Sequence, residues 1–169
     1  MDSVAGLIAA AGVALASATA AAQGEAALAN WFADPYFAVS SAVPGCPVPR
    51  GPLMTKVEME REAHVRVERG TRCYQEGKCR KANSYQYDAE IAQNLRAALA
   101  GSTALDGTSV WVTVQRRWIF LQGCVGSMSK KAALQKLARG IPDVENVFVD
   151  VTTGASKSLP YPALPSAPR

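Results

Sequence analysis

The chain has 169 residues, of which 49% are hydrophobic, and its formal net charge is +4. This length supports about one domain of ~100–150 residues with tails, and it leaves no room for a large multidomain assembly. A modest positive charge suits anionic partners such as phospholipid head groups or nucleic acid, but it does not choose between them.

Residues 1–22 have the pattern of a secretory signal peptide. Val4 to Ala18 form an apolar run without charge, and Ala20-Ala21-Ala22 follows as an A-x-A cleavage site. The run is too short and too rich in alanine for a stable membrane span. Because the preceding region has Asp2 and no basic residue, an alanine-rich cytosolic helix is the alternative. We predict export, with cleavage near Ala22.

Residues 23–54 combine several aromatic side chains with Pro44, Pro47, Pro49 and Pro52. The prolines forbid a long helix in this segment. The aromatic side chains are too dense for an ordinary linker. We therefore predict a short turn or helix followed by an extended arm that packs on another part of the molecule.

Residues 55–85 carry conflicting signals. Thr55 and Glu58 have the spacing of a capping box, which favours a helix, and Glu62 with Arg66 adds an i,i+4 ion pair. Apolar residues from Val57 to Val67 also keep a period of two, which favours a strand. We predict a basic helical segment that ends near Gly77.

The segment 86–153 changes its hydrophobic period three times. An apolar helix face runs from Asp88, a candidate N-cap, to Leu99. Two strands with alternating residues follow, and a polar break at Arg116 and Arg117 allows a hairpin between them. A lysine-bearing helix ends at Gly140, and a valine-rich strand runs to Thr153. The predicted order is helix, strand, strand, helix, strand.

This segment resembles the BON domain, named for bacterial osmotically induced and nodulation proteins. The resemblance rests on Ile119-Phe120-Leu121-Gln122-Gly123-Cys124-Val125, on the alanine-rich helix after it, and on Ile141-Pro142-Asp143-Val144-Glu145-Asn146-Val147. It implies an α+β fold in which a three-stranded mixed sheet packs on two helices. Arg117 and Asp143 stand where the family usually has glycine. The remaining residues, 154–169, are rich in proline, and we predict a tail that is disordered or polyproline-like.

Four cysteines in an exported chain indicate disulfides, and they allow three pairings. A short loop containing Gly77 separates Cys73 from Cys79, so we predict that this pair is bonded, which leaves Cys46 for Cys124. A metal or redox site that includes His64 is the alternative, but the spacing matches no common zinc pattern. We expect no metal and no cofactor.

Strand alternation places Trp111, Trp118, Phe120 and Phe148 on the sheet face opposite the valines. A Cys46–Cys124 bond would hold the aromatic arm over this face. If the arm leaves the face open, these four residues are candidates for docking another protein.

The motifs of hydrolases, P-loop proteins and dinucleotide enzymes are missing, so we expect no enzymatic activity and no small-molecule substrate. The resemblance implies a periplasmic envelope protein that binds anionic phospholipid surfaces and supports envelope integrity or the stress response. Export argues against nucleic acid, and an envelope protein is a further possible partner. The candidate lipid-binding residues are basic: Lys130, Lys131, Lys136, Arg139, Arg80 and Lys81.

Overall fold

A computed structural model describes residues 27–165 of the chain. The predicted signal peptide and the last four residues of the predicted tail lie outside this range. The helices and strands of the described range are, in chain order, β1 (Tyr36–Ala38), α1 (Lys56–Gln75), α2 (Asp88–Leu99), β2 (Thr108–Gln115), β3 (Trp118–Val125), α3 (Met128–Arg139) and β4 (Asn146–Thr153).

The segment from α2 to β4 has the predicted order of elements and the predicted α+β class. Strands β2 and β3 form an antiparallel hairpin, and β4 pairs with β3 in parallel. Val110, Val112 and Val114 are fully buried on one face of this sheet. They share a core with Leu95 of α2 and Leu134 of α3, so both helices cover the valine face.

The hairpin closes through a two-residue turn of left-handed backbone. Arg116 has φ 57° and Arg117 has φ 66°, and the flanking residues Gln115 and Trp118 pair directly. These angles suit the right-handed twist of the strands, although glycine or asparagine adopts them at lower cost. The predicted hairpin is therefore confirmed, in a turn that its arginines do not favour.

Asp88 supports this turn, and it is not the N-cap that we predicted for α2. A 3₁₀ turn, Ser84–Tyr87, leads directly into α2, so Asp88 is the first helical residue. Its carboxylate accepts hydrogen bonds from the backbone N–H groups of Arg116 and Arg117, both at 2.7 Å. These two bonds fix the otherwise unfavourable turn against the start of α2.

The sheet has four strands, one more than predicted. Residues 36–38 of the aromatic arm form β1, which pairs antiparallel with β2 at the edge of the sheet. The arm was expected to pack, but its strand character was missed because three residues are too few to show a period. Phe37, which points into the core from this strand, is 9% exposed.

Residues Lys56–Gln75 form a helix, as predicted, and the capping box of Thr55 and Glu58 is present. Arg66 of this helix forms a two-pronged ion pair with Asp34 of the arm, at 2.6 and 2.8 Å. Gln115 of β2 also donates to Asp34, at 2.8 Å. Because Gln115 lies on the sheet face opposite the valines, these bonds place α1 on that face.

Both predicted disulfides are present. Cys46 bonds Cys124 with a Cα–Cα distance of 5.9 Å, and Cys73 bonds Cys79 at 5.4 Å. Cys124 pairs with Ser109 in an unbroken register, so it points to the face opposite the valines. The first bond therefore ties the arm to the sheet, as expected. However, the arm covers only part of that face. Helix α1 covers another part, a position that we had not predicted.

The described part of the tail, up to residue 165, is an ordered extended chain, so of the two predicted alternatives disorder does not hold there. Tyr161 is 5% exposed, and its hydroxyl donates to the carbonyl of Pro47 at 3.0 Å. Backbone bonds also join Arg50 to Pro162 and Leu164 to Val48. Two proline-rich segments that cannot form a helix instead pair with each other as extended chains.

Candidate functional site

Three of the four candidate basic residues of α3, Lys131, Lys136 and Arg139, lie toward the side of the helix that faces away from the core, whereas Lys130 lies one helical turn before Leu134 and shares its face. Leu134 and Ala138 are fully buried under the sheet, whereas Lys136 and Arg139 are exposed. Lys130 and Lys131 are half-buried. We call these residues (Lys130, Lys131, Lys136 and Arg139) the α3 basic face.

Helix stability explains only half of the α3 basic face. Lys136 and Arg139 lie in the last turn, where positive charge interacts favourably with the helix dipole. Lys130 and Lys131 lie in the first turn, where the dipole disfavours them, and this turn has no acidic residue. Lys130 is held by a hydrogen bond from its ammonium group to the carbonyl of Thr103. No such contact accounts for Lys131.

Within residues 27–165, none of the four side chains forms an ion pair. No carboxylate among these described residues therefore neutralises the four charges. Beside them runs a shallow groove of about 660 Å³. Hydroxyl, apolar and basic side chains line it: Ser102, Thr103, Ala104, Ser129, Lys130, Ala133, Lys136, Leu137 and Gly140.

Arg80 and Lys81, the other two candidates, have a different environment. Arg80 forms a two-pronged ion pair with Asp143 at 2.8 and 3.1 Å, and Lys81 pairs with Glu90 at 3.1 Å. Both cations also lie over the ring of Tyr87. Nearby carboxylates thus neutralise both charges. The two ion pairs join the helical extension to the BON-like segment.

Three of the four aromatic candidates form one cluster on the sheet. The rings of Phe120 and Phe148 stack with centroids 5.0 Å apart, and Trp118 lies 5.4 Å from Phe148. The guanidinium of Arg116 covers the Trp118 ring at 3.8 Å. Trp111 lies half-buried beside β1. Because α1 and the arm lie across this face, the four side chains do not form an open platform.

Sequence reasoning missed the role of Arg117. Its Nη1 donates to the sulfur atoms of Cys73 and Cys79, at 3.0 and 2.9 Å, and its Nε donates to the carbonyl of Asp143 at 2.7 Å. One side chain thus connects the disulfide loop, the hairpin and the turn after α3. The sequence carried one sign of this role, because Arg117 stands at a turn position where the family usually has glycine.

Among the described groups, Asp88 shows the clearest effect of burial on its pKa. It is 3% exposed, and desolvation raises its pKa from 3.8 to about 6, against the lowering effect of the two backbone N–H donors. The carboxylate has no solvent-facing role in this environment. We infer that the Asp88 carboxylate serves to hold the turn of the β2–β3 hairpin.

The described residues contain no cluster of three His, Cys, Asp or Glu side chains that could hold a metal ion. His64 is exposed and lies 3.7 Å from Glu68, away from the bonded cysteines. No helix between residues 27 and 165 is long and apolar enough to cross a membrane.

The order of elements and the mixed sheet define a small α-β-β-α-β module carried beside a disulfide-linked extension. Residues 87–155 match the family model of the BON domain, and this part of the chain is a BON domain. BON domains occur in envelope and osmotic-stress proteins and are associated with phospholipid binding. No curated protein matches the chain.

Proposed function

We propose that the protein binds anionic phospholipid surfaces through the α3 basic face, without catalysing a reaction. The observation that carries the proposal is the set of three cations, Lys131, Lys136 and Arg139, on one side of a helix that have no ion-pair partner in the described chain. Each basic residue near an anionic surface contributes about 1 kcal/mol, so these three together contribute about 3 kcal/mol.

Exposed Met128 supports this mode of binding. It begins α3 and is 56% exposed, next to the first-turn lysines. An apolar side chain beside basic residues can enter the head-group region while the charges remain at its surface. The apolar run and cleavage pattern of residues 1–22 support a periplasmic location, in which the protein would meet phospholipid and serve envelope integrity or the stress response.

Docking of an envelope protein on the aromatic face is the weaker proposal. Trp118, Phe120 and Phe148 are only partly exposed, and α1 lies over their sheet face. A large partner would have to displace α1 and break the ion pair of Arg66 with Asp34. Lipid binding at α3 needs no such rearrangement.

Co-sedimentation with vesicles tests the lipid proposal. We expect the protein to bind phosphatidylglycerol vesicles at low salt and to be released as added salt screens the charges. It should not bind phosphatidylcholine vesicles. The double variant Lys131→Glu/Lys136→Glu removes two cations whose side chains form no ion pair with residues 27–165. It should weaken binding by about thirtyfold or more, which corresponds to about 2 kcal/mol.

The matched control is Lys56→Glu/Arg61→Glu. It changes the net charge equally, but both residues are exposed on α1, across the sheet from α3. Equal loss of binding in both variants would assign the attraction to overall charge and contradict the α3 site. Wild-type protein that fails to bind phosphatidylglycerol at low salt would refute the function.

A further inference from the structure

A second basic site lies on the opposite side of the sheet, in a groove between α1 and the aromatic face. The groove narrows to a pocket of about 310 Å³ beside the hairpin turn. Four cations line it, namely Arg69, Arg72, Lys78 and Arg116, together with the carboxylates of Glu76 and Glu145. The other lining residues are Cys73, Ser84 and Trp118. Its formal charge is therefore +2. We call it the hairpin pocket.

Two of the four cations in the hairpin pocket are already paired. Arg72 and Lys78 both contact Glu76, at 2.8 and 2.9 Å. Arg69 has only a distant partner, Glu62 at 3.9 Å, and it is 55% exposed. Arg116 forms no ion pair with any described residue. The charge available to a ligand is thus concentrated on Arg69 and Arg116.

A third donor lies in the same wall. The indole Nε1–H of Trp118 is buried and has no acceptor among residues 27–165. A buried N–H without an acceptor costs about 1–3 kcal/mol, so an acceptor there is strongly favoured. Trp118 and Arg116 both line the pocket, and the guanidinium of Arg116 lies 3.8 Å from the centre of the Trp118 ring, so the two donors are adjacent.

We propose that the hairpin pocket binds a phosphate group through Arg69, Arg116 and the indole N–H of Trp118. Guanidinium groups bind phosphate with paired hydrogen bonds, and a phosphate monoester offers three oxygens and a charge near −2 at neutral pH. That charge matches the +2 of the lining. Glu145, the remaining carboxylate, lies at the exposed rim, where solvent screens its repulsion.

This site is separate from the α3 basic face and does not depend on it. The phosphate could belong to a soluble monoester or to the head group of a lipid such as phosphatidic acid. The extension supplies Arg69 and the BON domain supplies Arg116 and Trp118, so the site exists only where the two parts meet.

The test follows the indole N–H signal of Trp118 by NMR during titration with inorganic phosphate and with glycerol 3-phosphate. Trp118→Phe assigns this signal among those of the three tryptophans. We expect a saturable shift that chloride at equal ionic strength does not produce. Arg116→Asn should weaken binding by roughly tenfold or more, and asparagine suits the left-handed turn that Arg116 occupies.

Two further variants separate the site from general effects. Arg69→Gln, on the exposed side of α1, should weaken binding like Arg116→Asn, whereas Lys136→Gln on α3 should leave it unchanged. The vesicle arm uses phosphatidic acid in phosphatidylcholine. Sedimentation with phosphatidic acid that Arg116→Asn reduces, while the same variant leaves sedimentation with phosphatidylglycerol unchanged, would identify the lipid head group as the source.

A shift with the soluble phosphates alone would identify a soluble ligand. The absence of a response to every probe, or a response that Arg116→Asn leaves intact, would overturn the proposal. Neither result bears on binding to phosphatidylglycerol through α3, because that assay depends on a different set of cations.

Discussion

Asp88 should make the stability of the protein depend on pH in an unusual direction. Burial raises the pKa of its carboxyl from 3.8 to about 6 in the folded state. The folded chain therefore holds a proton more tightly than the unfolded chain, and stability from this group falls as pH rises through 6. Each pKa unit corresponds to about 1.4 kcal/mol, so the full effect is about 3 kcal/mol.

Most of this loss falls between pH 4 and pH 6, and below pH 3.8 it is absent. Asp88→Asn removes the titration while it keeps the size of the side chain. Its amide nitrogen would face one of the two backbone N–H groups of the turn, which costs about 1–3 kcal/mol. The variant should therefore be less stable than the wild type at pH 4, and the difference should shrink toward pH 7.

Urea unfolding of both proteins from pH 4 to pH 8 measures this difference, since carboxylates common to both cancel. Asp106→Asn is the control, because Asp106 is exposed and should leave the pH profile of the wild type unchanged. A difference between wild type and Asp88→Asn that stays constant across this range would refute the reasoning.

Two further predictions concern the covalent links and the sheet. Replacing Cys46 and Cys124 by serine opens a loop of 78 residues and should lower the free energy of unfolding by about 4 kcal/mol. Replacing Cys73 and Cys79, which are six residues apart, should lower it by only about 2 kcal/mol. Equal losses in denaturant unfolding would contradict this difference. Gly123→Ala places a Cβ 2.0 Å from the carbonyl oxygen of Ser109 at φ 140°, so we expect a loss of more than about 3 kcal/mol in thermal unfolding. The control Gly154→Ala, at φ 71° in open space, should cost only about 1–2 kcal/mol.

The proposed phosphate site shows how the extension gains a role from its position. Arg66 and Arg69 belong to the same helix, three residues apart. Arg66 is buried against Asp34 and fixes α1 on the sheet, while Arg69 remains half-exposed above the groove. One residue thus positions the helix, and the other is left free to meet a ligand. The variants Arg69→Gln and Arg116→Asn spare this anchor.

Local sequence determined the elements and the family of the segment 86–153. Period-two valines can bury only one strand face, and the lysine-bearing helix can bury only its Leu134 side, so the order and the core of the module follow from the pattern. The disulfide pairing followed from loop length together with strand alternation, which places Cys124 on the aromatic face.

The tertiary structure alone decided where the extension lies and which charges are free. Asp34, Arg66 and Gln115 are far apart in sequence, and no local period relates them, yet their bonds set α1 across the sheet. In the same way, Arg80 and Lys131 look alike in the sequence. Only the fold brings Asp143 to Arg80 and leaves Lys131 without an ion-pair partner among residues 27–165, because the energy of a charge depends on neighbours that distant segments supply.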